Sequence, residues 1–177
     1  RIRIRIRIRI RMIANANEIL DASTIESSRI EYKADWNPEK IMHTICAFAN
    51  DIENIGGGYI IIGVEEENGM PKRPVKGIDK GSIDSINKDL MGICNLFEPR
   101  YIPSTTHEVV DGKDITLIEV IVGESRPYKC PDSYSRDKSK RSGKSYYIRK
   151  LSSTIAANAD DERVLYNVSS NIPFDCR

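Results

Sequence analysis

The chain has 177 residues, 40% of them hydrophobic and 30% charged, which fits one domain with a packed core and excludes a fibrous or wholly disordered chain. No apolar run approaches the roughly 18 to 20 residues of a membrane-crossing helix, and no charged start, apolar stretch and cleavage site mark a classical secretory signal. The formal charge of +1 depends on six arginines, Arg1, Arg3, Arg5, Arg7, Arg9 and Arg11; without them 21 basic residues face 26 acidic ones, a net −5, so bulk charge does not carry nucleic-acid binding and a local patch must.

Residues 1–11 alternate Arg and Ile, the period of an amphipathic strand, with the composition of a cationic arm for phosphates or membrane surfaces. They are read as a tag or artefact ahead of Met12 and set aside from fold reasoning, which leaves 12–177 as a single domain. A short helix is predicted over 12–21. Residues 27–33 alternate, with Ile30 and Tyr32 on one face and Arg29, Glu31 and Lys33 on the other, as in a half-buried strand. Asn37 before Pro38 supplies an N-cap and a first-turn proline, and Ile41, Ile45, Phe48 and Ala49 follow at helical spacing to about Asp51. After Gly56, Gly57 and Gly58 the continuous apolar run 59–64 predicts a central strand covered on both faces. Asn68 and Gly69 suit a turn. A second long helix is expected over 82–97, stopped by Pro99 and Pro103. Strands over 105–110 and 114–122 join through a hairpin turn at Asp111-Gly112-Lys113. Residues 131–145 read as a mobile loop, 146–149 as a strand and about 158–168 as a last helix. The expectation is an α+β domain whose central mixed sheet of five or six strands is flanked by about four helices. Cys46, Cys94, Cys130 and Cys176 lack the paired short spacing of a zinc site. They are read as free thiols, which points to the cytoplasm.

The order of Glu26, Glu31-Tyr32-Lys33, the segment 45–50 (Ile-Cys-Ala-Phe-Ala-Asn), Gly56 to Gly58, the segment 61–64 (Ile-Ile-Gly-Val), the segment 76–79 (Lys-Gly-Ile-Asp) and Tyr147-Ile148-Arg149 resembles the Schlafen AlbA-like domain family over about residues 15–170. The ending, with Pro173-Phe174-Asp175, is similar to the tail of prokaryotic members described as transcriptional regulators or RecG-like helicase-related proteins. The resemblance implies an AlbA-like fold and a nucleic-acid-binding, DNA-binding domain of a regulator-like protein. It also implies a dimer and a place at the N-terminal part of a longer chain. In nucleases of this family it implies a carboxylate triad, matched here by Glu26 and Glu31, with glutamate (Glu65 or Glu66) standing where the family has aspartate.

Read from the residues themselves, Glu31 and Lys33 share a strand face that is either solvated or a site able to hold a divalent metal and polarise a phosphate, with Glu65 or Glu66 as a further oxygen ligand. Magnesium or manganese belongs to that nuclease reading alone. The glycine run follows a helix and precedes a strand, the reverse of a phosphate-binding loop, so ATP is not expected. Residues 126–150 hold Arg126, Lys129, Arg136, Lys138, Lys140, Arg141, Lys144, Arg149 and Lys150 against Asp132 and Asp137, a local +7. Tyrosines, Tyr147 among them, are interleaved with these cations, a composition suited to phosphate contact and base stacking on DNA or RNA. Lys33 joins this set. A third reading is a dimerising interaction module that pairs through strand edges.

Overall fold

The computed structural model describes residues 15–21, 29–140 and 143–170. The Arg-Ile repeat, Glu26, Arg141 and the 171–177 tail lie outside the described residues. In chain order the elements are helix α1 (Ala16–Asp21), strand β1 (Ile30–Lys33), helix α2 (Pro38–Asn50), strands β2 (Gly58–Ile62), β3 (Glu66–Glu67) and β4 (Met70–Pro71), and helix α3 (Ile83–Cys94) after a 3-10 turn at Lys80–Ser82. Strands β5 (Ser104–Val110), β6 (Lys113–Val120) and β7 (Lys129–Pro131) follow, then a 3-10 turn at Lys138–Lys140, strands β8 (Lys144–Lys150) and β9 (Ser153–Ala156), and helix α4 (Ala159–Ser170).

The class is α+β, as expected, but the central sheet has four strands instead of five or six. Its order is β1-β2-β6-β5, with β1 parallel to β2 and the other pairs antiparallel. The remaining strands form a β3-β4 hairpin and a separate β7-β8-β9 sheet. Helix α2 divides the two larger sheets: it packs against β6 on one side and against β7, β8 and β9 on the other. That position explains why Ile41, Met42, Thr44, Ile45, Cys46, Ala47, Phe48, Ala49 and Asn50 are all buried, a helix covered nearly all round. Asn37 caps it through its side chain on the Lys40 N–H at 3.0 Å, as its position before Pro38 predicts.

Strand β2 is covered on both faces. Ile60 and Ile62 join Ile118, Val120 and the buried residues of α2 and α3; Ile61 joins Tyr32, Ile115, Leu117 and the α1 residues Ala16, Ile19 and Leu20. Gly57 makes the approach possible, since at φ +86° a Cβ there would sit 2.0 Å from the Val120 carbonyl oxygen. Asn68 and Gly69 turn the β3-β4 hairpin, and Asp111 and Gly112 the β5-β6 hairpin, all four with positive φ. Among the described residues no helix is long and apolar enough to cross a membrane, and Cys46, Cys94 and Cys130 are free and buried.

Candidate nucleic-acid interface

The period-two alternation of β1 sends Ile30 and Tyr32 into one core and Glu31 and Lys33 to the opposite face. That second face is not solvated. The Glu31 side chain is only 8% exposed, takes an ion pair from Lys33 through Oε1 and meets Arg149 Nη2 at 2.5 Å through Oε2. Arg149 also donates to Thr154 Oγ1 at 3.0 Å and lies 5.4 Å from the centre of the Phe48 ring. A buried carboxylate between two cations is neutralised where it stands, and it ties β1 to β8 across α2. Beyond the end of β1, closed by the Gly63 and Val64 N–H groups on the Lys33 carbonyl, Lys33, Glu65, Glu66 and Lys72 line a cleft of about 400 Å³. Glu65 is half-exposed, 3.8 Å from Lys72, and Glu66 is exposed on β3.

These residues do not by themselves fit magnesium or manganese. Both Glu31 oxygens already face cations, Glu65 is turned to Lys72, and among the described residues no three His, Cys, Asp or Glu side chains converge as a ligand set.

The basic stretch 126–150 is distributed in space differently from its linear charge. Arg126, 8% exposed, donates to the Asn50 and Asp51 carbonyls at 3.3 and 3.1 Å and to Asn54 Oδ1 at 3.0 Å, fastening the loop after α2. Arg149 is buried as described above. Tyr147 is buried too, stacked on His43 at 3.9 Å between centroids and donating to Asp132 Oδ1 at 3.0 Å; burial first, then that bond, raises its phenol above the ordinary tyrosine range. None of the three is open to a phosphate or a base in this arrangement. His43, which helical spacing places on the exposed side of α2, is half-buried because β7 and β8 cover that side, and its Nε2 lies 3.0 Å from the Pro131 carbonyl.

The remaining cations among the described residues reach the surface, and carboxylates from other elements meet most of them. Glu98 pairs with both Lys129, at 3.5 Å, and Lys144; the Lys144 ammonium above all holds the Glu98 carboxyl below the usual carboxylate range. Arg136 meets Asp89 at 2.9 Å, and Lys150 meets Asp161 at 2.7 Å. Among the described residues no carboxylate pairs with Lys138 or Lys140, which the 3-10 turn presents to solvent. Sequence reasoning missed Asp89, Glu98 and Asp161, each remote in sequence from the cation it neutralises. The signal that could have pointed to Asp89 was its place on the polar side of a predicted amphipathic helix.

A family model described as Schlafen, AlbA_2 matches residues 26–158. Among solved structures, the chain is similar to the N-terminal domain of a RecG-related protein of Nitrosomonas europaea, named after an ATP-dependent DNA helicase, at 26% identity and a TM-score of 0.53, covering 83% of this chain and 95% of that one. It is also similar in fold to the DIP2311 protein of Corynebacterium diphtheriae, at 18% identity and a TM-score of 0.51; the match covers 84% of this chain and only 27% of that protein. No curated protein sequence matches.

Proposed function

The chain belongs to the Schlafen, AlbA_2 family, and from that premise we propose that it is a nucleic-acid-binding domain, the DNA-binding part of a prokaryotic, cytoplasmic regulator-like protein that works as a homodimer. The observation that carries the reading is the surface of the 129–150 segment. Lys138 and Lys140 stand on an exposed turn and, among the described residues, have no carboxylate partner; Lys129 and Lys144 hold surface pairs with Glu98, and Arg136 and Lys150 are exposed cations set on the largely buried Asp89 and Asp161. Exposed pairs are worth about 0 to 1 kcal/mol each, so a phosphate can exchange for the carboxylate at little cost. Lys33, paired with Glu31 at the cleft beyond β1, is a further cation of this reading. The relationship to a RecG-related protein supports a setting in nucleic-acid metabolism.

A second reading, a Schlafen-like nuclease, draws on Glu31 and Lys33 beside the cleft that carries Glu65 and Glu66. It requires Glu26 to complete a metal site. One gel separates the readings: labelled single-stranded RNA, structured RNA and duplex DNA, with manganese or chelator, at two salt concentrations, using the full chain and residues 12–177 side by side. Binding that weakens with salt and leaves the strand intact is expected. Manganese-dependent cleavage by residues 12–177 would move the assignment to the nuclease, and a stable dimer that neither binds nor cleaves would leave the interaction module.

A further inference from the structure

Away from the Glu31 corner, a groove of about 620 Å³ runs between α3 and the loop joining β7 to β8. Its α3 wall carries Asp84, Lys88, Asp89 and Gly92, and its loop wall Tyr134 and Arg136. The loop is moored there by two contacts. The Tyr134 N–H donates to Glu39 Oε2 at 3.0 Å, and Arg136 Nη2 donates to Asp89 Oδ1 at 2.9 Å. The other Asp89 oxygen accepts from Trp36 Nε1 at 3.1 Å. Asp89 is thus largely buried, at 12% side-chain exposure, whereas Arg136 is 75% exposed.

The volume falls within the ~300 to 1,000 Å³ of small-ligand sites. Gly92 lets the helix wall approach Tyr134, since a Cβ added there would lie 4.0 Å from the phenol oxygen, at van der Waals contact. An aromatic wall, an exposed guanidinium and the cationic Lys138–Lys140 turn two residues beyond it combine the base platform and the phosphate contacts that single strands use. A duplex keeps its bases stacked inside and is read by elements that protrude into its grooves, which a concave wall does not offer. Resting on the nucleic-acid reading above, we propose that this groove binds a single-stranded segment of RNA or DNA, with a base against Tyr134 and a phosphate on Arg136. Asp89 is the intramolecular competitor that the phosphate displaces.

The chain has one tryptophan, Trp36, and its bond to Asp89 makes it a reporter of this groove. The full chain is titrated with fluorescein-labelled eight-nucleotide oligo(U) and oligo(dT), and with a hairpin duplex. Anisotropy follows binding, and Trp36 emission follows groove occupancy with unlabelled oligonucleotides. Either or both single strands are expected to change Trp36 emission saturably and the duplex is not. Tyr134→Ala should weaken single-strand binding roughly tenfold, within the range for loss of one stacked base. Asp89→Asn, which keeps an acceptor for Trp36, should tighten it about threefold by removing the competing charge. Thermal unfolding of each variant shows that it is folded. Binding by anisotropy with unchanged Trp36 emission, or with affinity unaltered in both folded variants, would overturn the groove and leave the nucleic-acid reading intact. No binding in any arm would remove both.

Discussion

Asn50 donates from its amide to the Tyr128 and Tyr147 carbonyls at 2.9 and 2.8 Å and accepts from the Tyr128 N–H at 2.6 Å, with no solvent exposure. It therefore pairs with backbone groups of Tyr128, just before β7, and of Tyr147 on β8. Asn50→Ala leaves them buried and unpaired, so unfolding in urea should show a loss of about 3 kcal/mol or more. Glu31 is the corresponding case for charge. Glu31→Gln leaves Arg149 buried without its counter-ion, at a cost of about 3 to 5 kcal/mol, measurable in the same experiment. This bears on any nuclease assay, since activity lost in a Glu31 variant is interpretable only when the variant is shown folded. Glu65→Gln, at a half-exposed position, tests the same cleft without that complication.

At the scale of elements, the pairs that pin the outer strands respond to pH in a definite direction. Lys144 depresses the Glu98 carboxyl and Lys150 the Asp161 carboxyl. A depressed folded value means that the stabilisation is present above the ordinary carboxylate range and lost as pH falls through the folded value, so it fades below about pH 4. Melting temperatures of the wild type and Glu98→Gln should differ at pH 6 and converge as the pH drops below about 4, because glutamine does not titrate. Equal differences at both pH values would show that Glu98 contributes nothing through its charge. Elements whose residues meet their own neighbours were legible in the sequence: the Asn37-Pro38 cap, the twice-covered run at β2 and the Asp111-Gly112 hairpin all follow from local stereochemistry. Strands β3, β4, β7 and β9, two to four residues long, carry no periodicity of their own. The β3-β4 pair depends on the Asn68-Gly69 turn, whereas β7 and β9 pair with β8 against α2, which separates their sheet from the central one. The site followed the same rule. The alternation of Glu31 and Lys33 was visible, whereas Arg149, 118 residues from Glu31 along the chain and buried against it, converts that face from a solvated one into a closed ion-pair cluster.

For the molecule as a whole, counting charge along 126–150 gives +7, yet Asp51, Glu31, Glu98, Asp89 and Asp161 fold back onto six of those nine cations. Among the described residues, what remains for a phosphate is a small surface centred on the Lys138–Lys140 turn, with Arg136 available by exchange. Nucleic-acid affinity should accordingly be modest and its salt dependence shallow compared with a cluster of nine open cations. The Arg-Ile arm adds the same contribution to every variant and cancels in a comparison between them. The decisive measurement is the slope of log K against log salt for the full chain and for Lys138→Gln/Lys140→Gln on one single-stranded oligonucleotide. If both lysines meet phosphates, the slope becomes shallower by about 1.4, since each single-strand contact contributes about 0.7; identical slopes for the two proteins would contradict the assignment of this turn as the nucleic-acid surface.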